Sequence, residues 1–186
     1  MANAIEASTR TLAELLTIEP MKWEDLDEVV KLEQACFTHP WTRRMFEEDI
    51  AQVDSTYYIV ARLGGMIIGY AGAWIIGGEV HITTLAVHPK FRRRGIGETL
   101  LHALLDGAVQ RGAEWAKLEV RRSNFAAQRL YEKCGFRIVG LRSGYYINPR
   151  EDALILELND LKGALKRWKE RSKCVYQSKE RIGVNQ

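Results

Sequence analysis

Two short stretches hold residue types that could do chemistry together. The first is Leu85-Ala86-Val87-His88-Pro89-Lys90-Phe91-Arg92-Arg93-Arg94-Gly95-Ile96-Gly97-Glu98, which reads as a strand end, a glycine-bearing loop and a helix start. The first backbone N–H groups of a helix have no partner inside it and point outward, so such a junction suits a phosphate. Gly95 and Gly97 would let the main chain approach that anion closely. Two glycines beside three arginines are equally compatible with a solvated turn. The nucleotide-hydrolase loop is excluded, since no Gly-Lys-Ser/Thr ending is present.

The second stretch is Leu118-Glu119-Val120-Arg121-Arg122-Ser123-Asn124, followed by Ala126-Ala127-Gln128-Arg129-Leu130-Tyr131-Glu132-Lys133-Cys134-Gly135-Phe136. Glu119 sits inside an apolar strand, where a carboxylate is costly unless it meets a cleft, water or a partner. A strand-surface carboxylate is the plainer alternative. Tyr131 follows Asn124 by two helical turns, so both fall on nearly the same face and could aim at one groove. A core tyrosine is the plainer alternative there.

With these residues in order, the chain resembles the GNAT superfamily of acyl-CoA-dependent N-acetyltransferases from about Ile18 to Leu158. The superfamily's pyrophosphate signature is Arg or Gln, two residues, Gly, one residue, then Gly or Ala, and Arg92, Gly95 and Gly97 satisfy it. The downstream pattern Leu-Glu-Val-Arg, Ser-Asn, Ala-x-x-Leu-Tyr, Gly-Phe is similar to the bacterial ribosomal-protein alanine N-acetyltransferases.

The resemblance implies an α/β fold with a mixed, mostly antiparallel sheet flanked by helices, whose splayed central strands bind acetyl-CoA as co-substrate. Leu85, Ala86 and Val87 would offer backbone groups to the pantetheine arm and to an oxyanion near Ala86 and Val87. Arg93, Arg94, Gly95, Ile96, Gly97 and Glu98 would hold the pyrophosphate through backbone N–H groups, and Asn124 would bond the cofactor arm. Glu98 departs from the family's preference for a basic or small residue, so its carboxylate should point away from the phosphates. Glu119 would be the general base and Tyr131 the general acid, with no metal and no cysteine or serine nucleophile. The Phe37-Thr38-His39-Pro40-Trp41 segment and the pair Tyr145-Tyr146 match the places where the acceptor groove lies.

The implied acceptor is a protein N-terminal α-amine, specifically the N-terminal alanine of a ribosomal protein. An α-amine of pKa about 8 costs roughly 1 kcal/mol to deprotonate at pH 7, whereas a lysine near 10.4 costs roughly 4 to 5. One buried carboxylate acting through water is enough for the first. Lysine or polyamine acetylation on the same scaffold is the enzymatic alternative. A ribosome- or RNA-binding module with a vestigial acetyl-CoA site is the other.

The elements that must position these residues are legible from periodicity. Leu15 to Met21 reads as a strand, and Leu26, Val29, Val30 and Leu32 recur at helical spacing up to about Cys36. Pro40 interrupts, and Thr42 can cap a second helix through about Ile50. Strands at Tyr57 to Leu63, Met66 to Ile76 and Glu79 to Val87 are joined by Gly64-Gly65 and Gly77-Gly78, an antiparallel meander. A helix from about Gly97 to Arg111, a strand at Trp115 to Val120, a helix at Asn124 to Cys134 and strands at Phe136 to Tyr146 and Ala153 to Glu157 complete the pattern.

At 186 residues, one acetyltransferase domain is expected over residues 17–160, between a flexible extension at 1–16 and a basic tail at 161–186. From Leu161 the tail carries eight Lys/Arg against Glu170 and Glu180, about +6, which leaves the remainder near −3 against the net +3. The body is therefore no nucleic-acid binder by charge, while the tail could contact the ribosome electrostatically. It could be helical through Arg171, with Leu161, Leu165 and Trp168 as a partial apolar stripe. No apolar run of about 18 residues and no basic-then-apolar leader is present, so a cytoplasmic protein without a membrane partner is expected. Cys36, Cys134 and Cys174 are widely spaced and form no zinc pattern.

Overall fold

The computed structural model describes residues 15–182, with side chains through Arg171. Most of the extension expected at 1–16 thus lies outside the described residues. Strand β1 (Leu16–Pro20) leads through a 3-10 turn into α1 (Leu26–Cys36) and α2 (Arg43–Ile50). The meander β2 (Thr56–Leu63), β3 (Met66–Ile76) and β4 (Glu79–Val87) is followed by α3 (Ile96–Gln110), β5 (Trp115–Arg121) and α4 (Phe125–Lys133). The hairpin β6 (Arg137–Ile147) and β7 (Arg150–Leu158) and the helix α5 (Leu161–Ile182) close the chain.

All seven strands form one open sheet in the order β1-β2-β3-β4-β5-β7-β6. Every neighbouring pair is antiparallel except β4 and β5. Because successive strand residues face opposite sides, the sheet builds two cores. Tyr58 and Val60 meet Leu26, Val29, Leu32 and Phe46 of α1 and α2 on one face. Ile59 and Ala61 meet Leu100, Leu101, Leu104 and Leu105 of α3 on the other.

Two boundaries differ from the sequence reading for physical reasons. Strand β7 begins at Arg150, before the expected Ala153, because Glu151 and Asp152 find partners in Arg121, the Ser123 N–H and the Gly144 N–H. The division at Asp160 also shifts. Leu161, Ala164, Leu165 and Trp168 of α5 are buried in the same core as α3, so packing continues two turns into the supposed tail. Lys162, Lys166, Arg167, Lys169 and Arg171 are exposed, which makes the start of α5 amphipathic. No helix among the described residues is long and apolar enough to cross a membrane.

Candidate active site

Strands β4 and β5 pair only over Glu79–His81 and Trp115–Lys117, and then part. A register shift opposite Gly72 and Ala73 leaves Thr83 as an extra residue in β4 and bends the strand where the pairing ends. The parting opens a cleft of about 370 Å³ lined by Leu85 from β4, Leu118 to Arg121 from β5, and Asn124, Ala127 and Tyr131 around α4. Its walls also include Ile82, Thr83 and Thr84 of β4, Glu33 of α1, Phe37, Thr38, His39 and Trp41, and Tyr146 of β6. Four residues singled out from the sequence, Leu85, Glu119, Asn124 and Tyr131, therefore share one cavity.

Glu119 has a side chain only 6% exposed and two close neighbours. His81 Nε2 lies 2.6 Å from its Oε2, and Arg142 Nη1 lies 3.1 Å from its Oε1. The arginine is placed as an ion pair but off hydrogen-bond geometry, so Oε1 keeps its lone pairs unengaged. The carboxylate is thus oriented by a histidine, neutralised by a cation and left with one oxygen able to accept a proton or bond a water. Tyr131 is buried, and desolvation, reinforced by Tyr146 and Cys134, pushes its phenol well above 10, which keeps it a proton donor. Tyr146 is pushed up to about 12, mainly by burial, and its hydroxyl reaches toward the Glu119 carbonyl at 3.5 Å.

On the α1 side, Glu33 is 3% exposed and accepts from the Trp41 backbone N–H at 3.0 Å and from the Tyr70 hydroxyl. The Tyr70 hydroxyl also meets Thr84 Oγ1 at 3.0 Å, joining the 37–41 segment to β4. Thr42 caps α2 by accepting from the Met45 N–H, as the sequence indicates.

The loop between β4 and α3 sits at the end of the cleft strand. Arg93 and Gly95 have left-handed backbones, φ 64° and 81°, which fold the loop into a tight turn before the α3 N-terminus. Nothing within 4 Å would meet a Cβ at Gly95, so the glycine there serves its own conformation and approach from outside. Arg92 Nε donates to the Val87 carbonyl at 3.0 Å, so it braces the loop, and Cys36 Sγ approaches the same oxygen at 3.5 Å. Ile96 is 2% exposed and packs in the core, leaving only its main chain for a ligand, and Ala86 is buried against α1. Arg94 lies 5.6 Å from the Phe91 ring. Glu98 is held by Lys133 of α4. Asn124 caps α4, its Oδ1 accepting from the Ala127 N–H at 3.1 Å.

Residues 26–136 match the model of the acetyltransferase (GNAT) family. The chain belongs to the GNAT family. Among similar proteins, the putative ribosomal protein bS18-alanine N-acetyltransferase of Bacillus subtilis is 37% identical over 139 residues, covering 75% of this chain and 92% of the relative. The N-alpha-acetyltransferase RimI of Mycobacterium tuberculosis is 39% identical over 146 residues, covering 75% and 90%. The crystal structure of the Escherichia coli ribosomal-protein-S18-alanine N-acetyltransferase superposes with a TM-score of 0.72 at 32% identity, covering 77% of this chain and 92% of that one. The family is one of acetyltransferases, and the residues of the cleft fit an acyl-CoA. The parted β4 edge leaves unpaired main chain beside an apolar Leu85 wall, and the α3 N-terminus offers outward N–H groups.

Three residues escape a sequence reading: Glu33, which lines the cleft, and His81 and Arg142, which hold Glu119. His81 meets Glu119 only because a parallel pairing brings β4 beside β5, and Arg142 arrives through β7. Glu33 carries no signal of its own, being one of three carboxylates in the amphipathic helix α1.

Proposed function

We propose that this protein moves the acetyl group of acetyl-CoA onto the α-amine of a protein N-terminus, and that the N-terminal alanine of a ribosomal protein is its acceptor. The observation that carries the reading is that Glu119, oriented by His81, and Tyr131 line one cleft where β4 and β5 part. The names of the relatives from Bacillus subtilis and Escherichia coli support the acceptor class.

Acetyl-CoA supplies an activated thioester, and the chain's own residues do the rest. Glu119 takes the ammonium proton, directly or through a water on Oε1, and His81 shares the charge across their hydrogen bond. The neutral amine attacks the thioester carbonyl without any enzyme nucleophile. Tyr131, kept protonated by burial, donates to the departing sulfur. Arg93, Arg94, Gly95, Ile96, Gly97 and Glu98 offer main-chain N–H groups to the pyrophosphate, while Glu98 keeps its carboxylate on Lys133. The Asn124 amide, with its oxygen spent on the helix cap, has its NH₂ group for the cofactor arm.

The exposed basic face of α5 would dock the enzyme on the ribosome, in the cytoplasm where such an acceptor is made. Thiol release from acetyl-CoA tests the reaction. A peptide with a free N-terminal alanine should turn over, and the same peptide blocked at its N-terminus but carrying lysine should not. Turnover of the blocked peptide alone would make the protein a lysine acetyltransferase.

A further inference from the structure

Three acidic side chains on the sheet's helices and strands are nearly excluded from solvent, and two of them have an arginine. Asp25 pairs with Arg62, and Glu119 pairs with Arg142. Glu33 has no cation within ion-pairing distance among the described residues. Its hydrogen bonds from Tyr70 and Trp41 orient the carboxylate but bring no positive charge.

A buried charge without a countercharge is among the most expensive features a fold can carry. Burial accordingly pushes the Glu33 carboxyl up, and the two hydrogen bonds only oppose that shift. The side chain also lines the cleft, on the wall formed with Phe37, His39 and Trp41. A ligand entering along that wall meets a carboxyl with no cation of the described residues paired to it.

We propose that Glu33 is an anionic subsite that recognises the acceptor while it is still an ammonium ion, before the proton is lost at Glu119 and His81. The inference rests on the amine-acetylating reading above. The incoming cation supplies the charge the fold withholds and draws the carboxyl toward its ionised form. Tyr70, anchored on Thr84, and the Trp41 N–H hold the two oxygens in place, so little reorganisation accompanies binding. The subsite selects a cation at the end of the acceptor, and a blocked N-terminus lacks one.

The test is calorimetry on the full chain saturated with CoA, using two peptides that differ only at the first residue, alanyl in one and propionyl in the other. The wild type should bind the ammonium peptide about tenfold or more tightly than its uncharged counterpart, as a charge-assisted contact allows. Glu33→Gln keeps an oxygen for Trp41 and a polar group for Tyr70, and it should abolish that preference. Glu33→Asp keeps the charge and should retain a measurable preference. In steady state, the Gln variant should lose more through the peptide KM than through kcat, with the acetyl-CoA KM unmoved. A Gln variant that keeps the wild-type preference, or an Asp variant that loses it as fully as Gln, overturns the proposal. The comparison of the two peptides on wild type needs no variant, and equal affinities there would also overturn it. If wild type acetylates no free-amine peptide, the reading beneath falls and the inference with it. Acetylation without ammonium preference sinks the inference alone.

Discussion

Glu119 and His81 are in contact at 2.6 Å, and substitution tests whether they work as one unit. Glu119→Gln should lower kcat/KM by about 10²-fold or more, most strongly at lower pH where the amine is hardest to deprotonate. His81→Ala should cost far less in the Gln background than in wild type, because residues that share a proton are not additive. Equal costs in both backgrounds, read from steady-state rates, would mean that the 2.6 Å contact has no kinetic role. Tyr131 gives a different pH signature. Its phenol is raised above its ordinary value, so it stays protonated across neutral and mildly alkaline pH. Tyr131→Phe should therefore lower the rate by about 10²-fold without moving either limb of the pH profile. Glu33 also links to stability with a definite sign. A carboxyl whose pKa is raised on folding contributes stability below its unfolded value, and loses it as pH rises through the folded one. Glu33→Gln should gain stability relative to wild type as pH is raised from 4 to 8, checked by urea titration at both ends.

Among the elements, the β4–α3 loop and α5 make opposite demands. Gly95 has a left-handed backbone with open space around it, so Gly95→Val strains the loop by roughly 1–2 kcal/mol without a clash inside the protein. The variant should fold yet bind acetyl-CoA weakly by calorimetry. Unchanged affinity would remove the loop from the site. Helix α5 is the element whose role the sequence understates. Trp168 is 5% exposed and stacks on His102 at 3.9 Å between ring centroids, so Trp168→Ala should cost about 3–5 kcal/mol in chemical denaturation. Truncation after Asp160 would strip Leu161, Leu165 and Trp168 from the core and so cannot serve as a clean test of docking.

At the scale of the whole molecule, charge is divided between an acidic body and a basic helix. Ribosome docking through α5 would release counterions and weaken steeply with salt. Lys162→Glu, Lys166→Glu and Arg171→Glu together lie on the exposed face and leave the core intact. The triple variant should keep peptide acetylation and lose co-sedimentation with ribosomes at low salt. Unchanged co-sedimentation would exclude this face.

Local pattern alone was enough for the element order, because the apolar runs of β2 to β4 bounded by Gly64-Gly65 and Gly77-Gly78, and the helical period in α1 and α3, are written in consecutive residues. The same holds for the loop at Gly95, the cap at Thr42 and the prominence of Glu119 and Tyr131, each of which breaks or punctuates a local pattern. Partners distant along the chain are a different matter. That Glu119 meets His81 depends on where β4 and β5 stop pairing, and that Arg142 reaches it depends on β7 lying between β5 and β6. The start of α5 reads as a basic tail with a partial apolar stripe, which by itself does not say what that stripe packs on. Only the groove over α3 shows that four of those apolar residues are core. Glu33 reads as one more helical carboxylate until the fold surrounds it, since burial and the lack of a countercharge belong to three-dimensional neighbours and not to sequence.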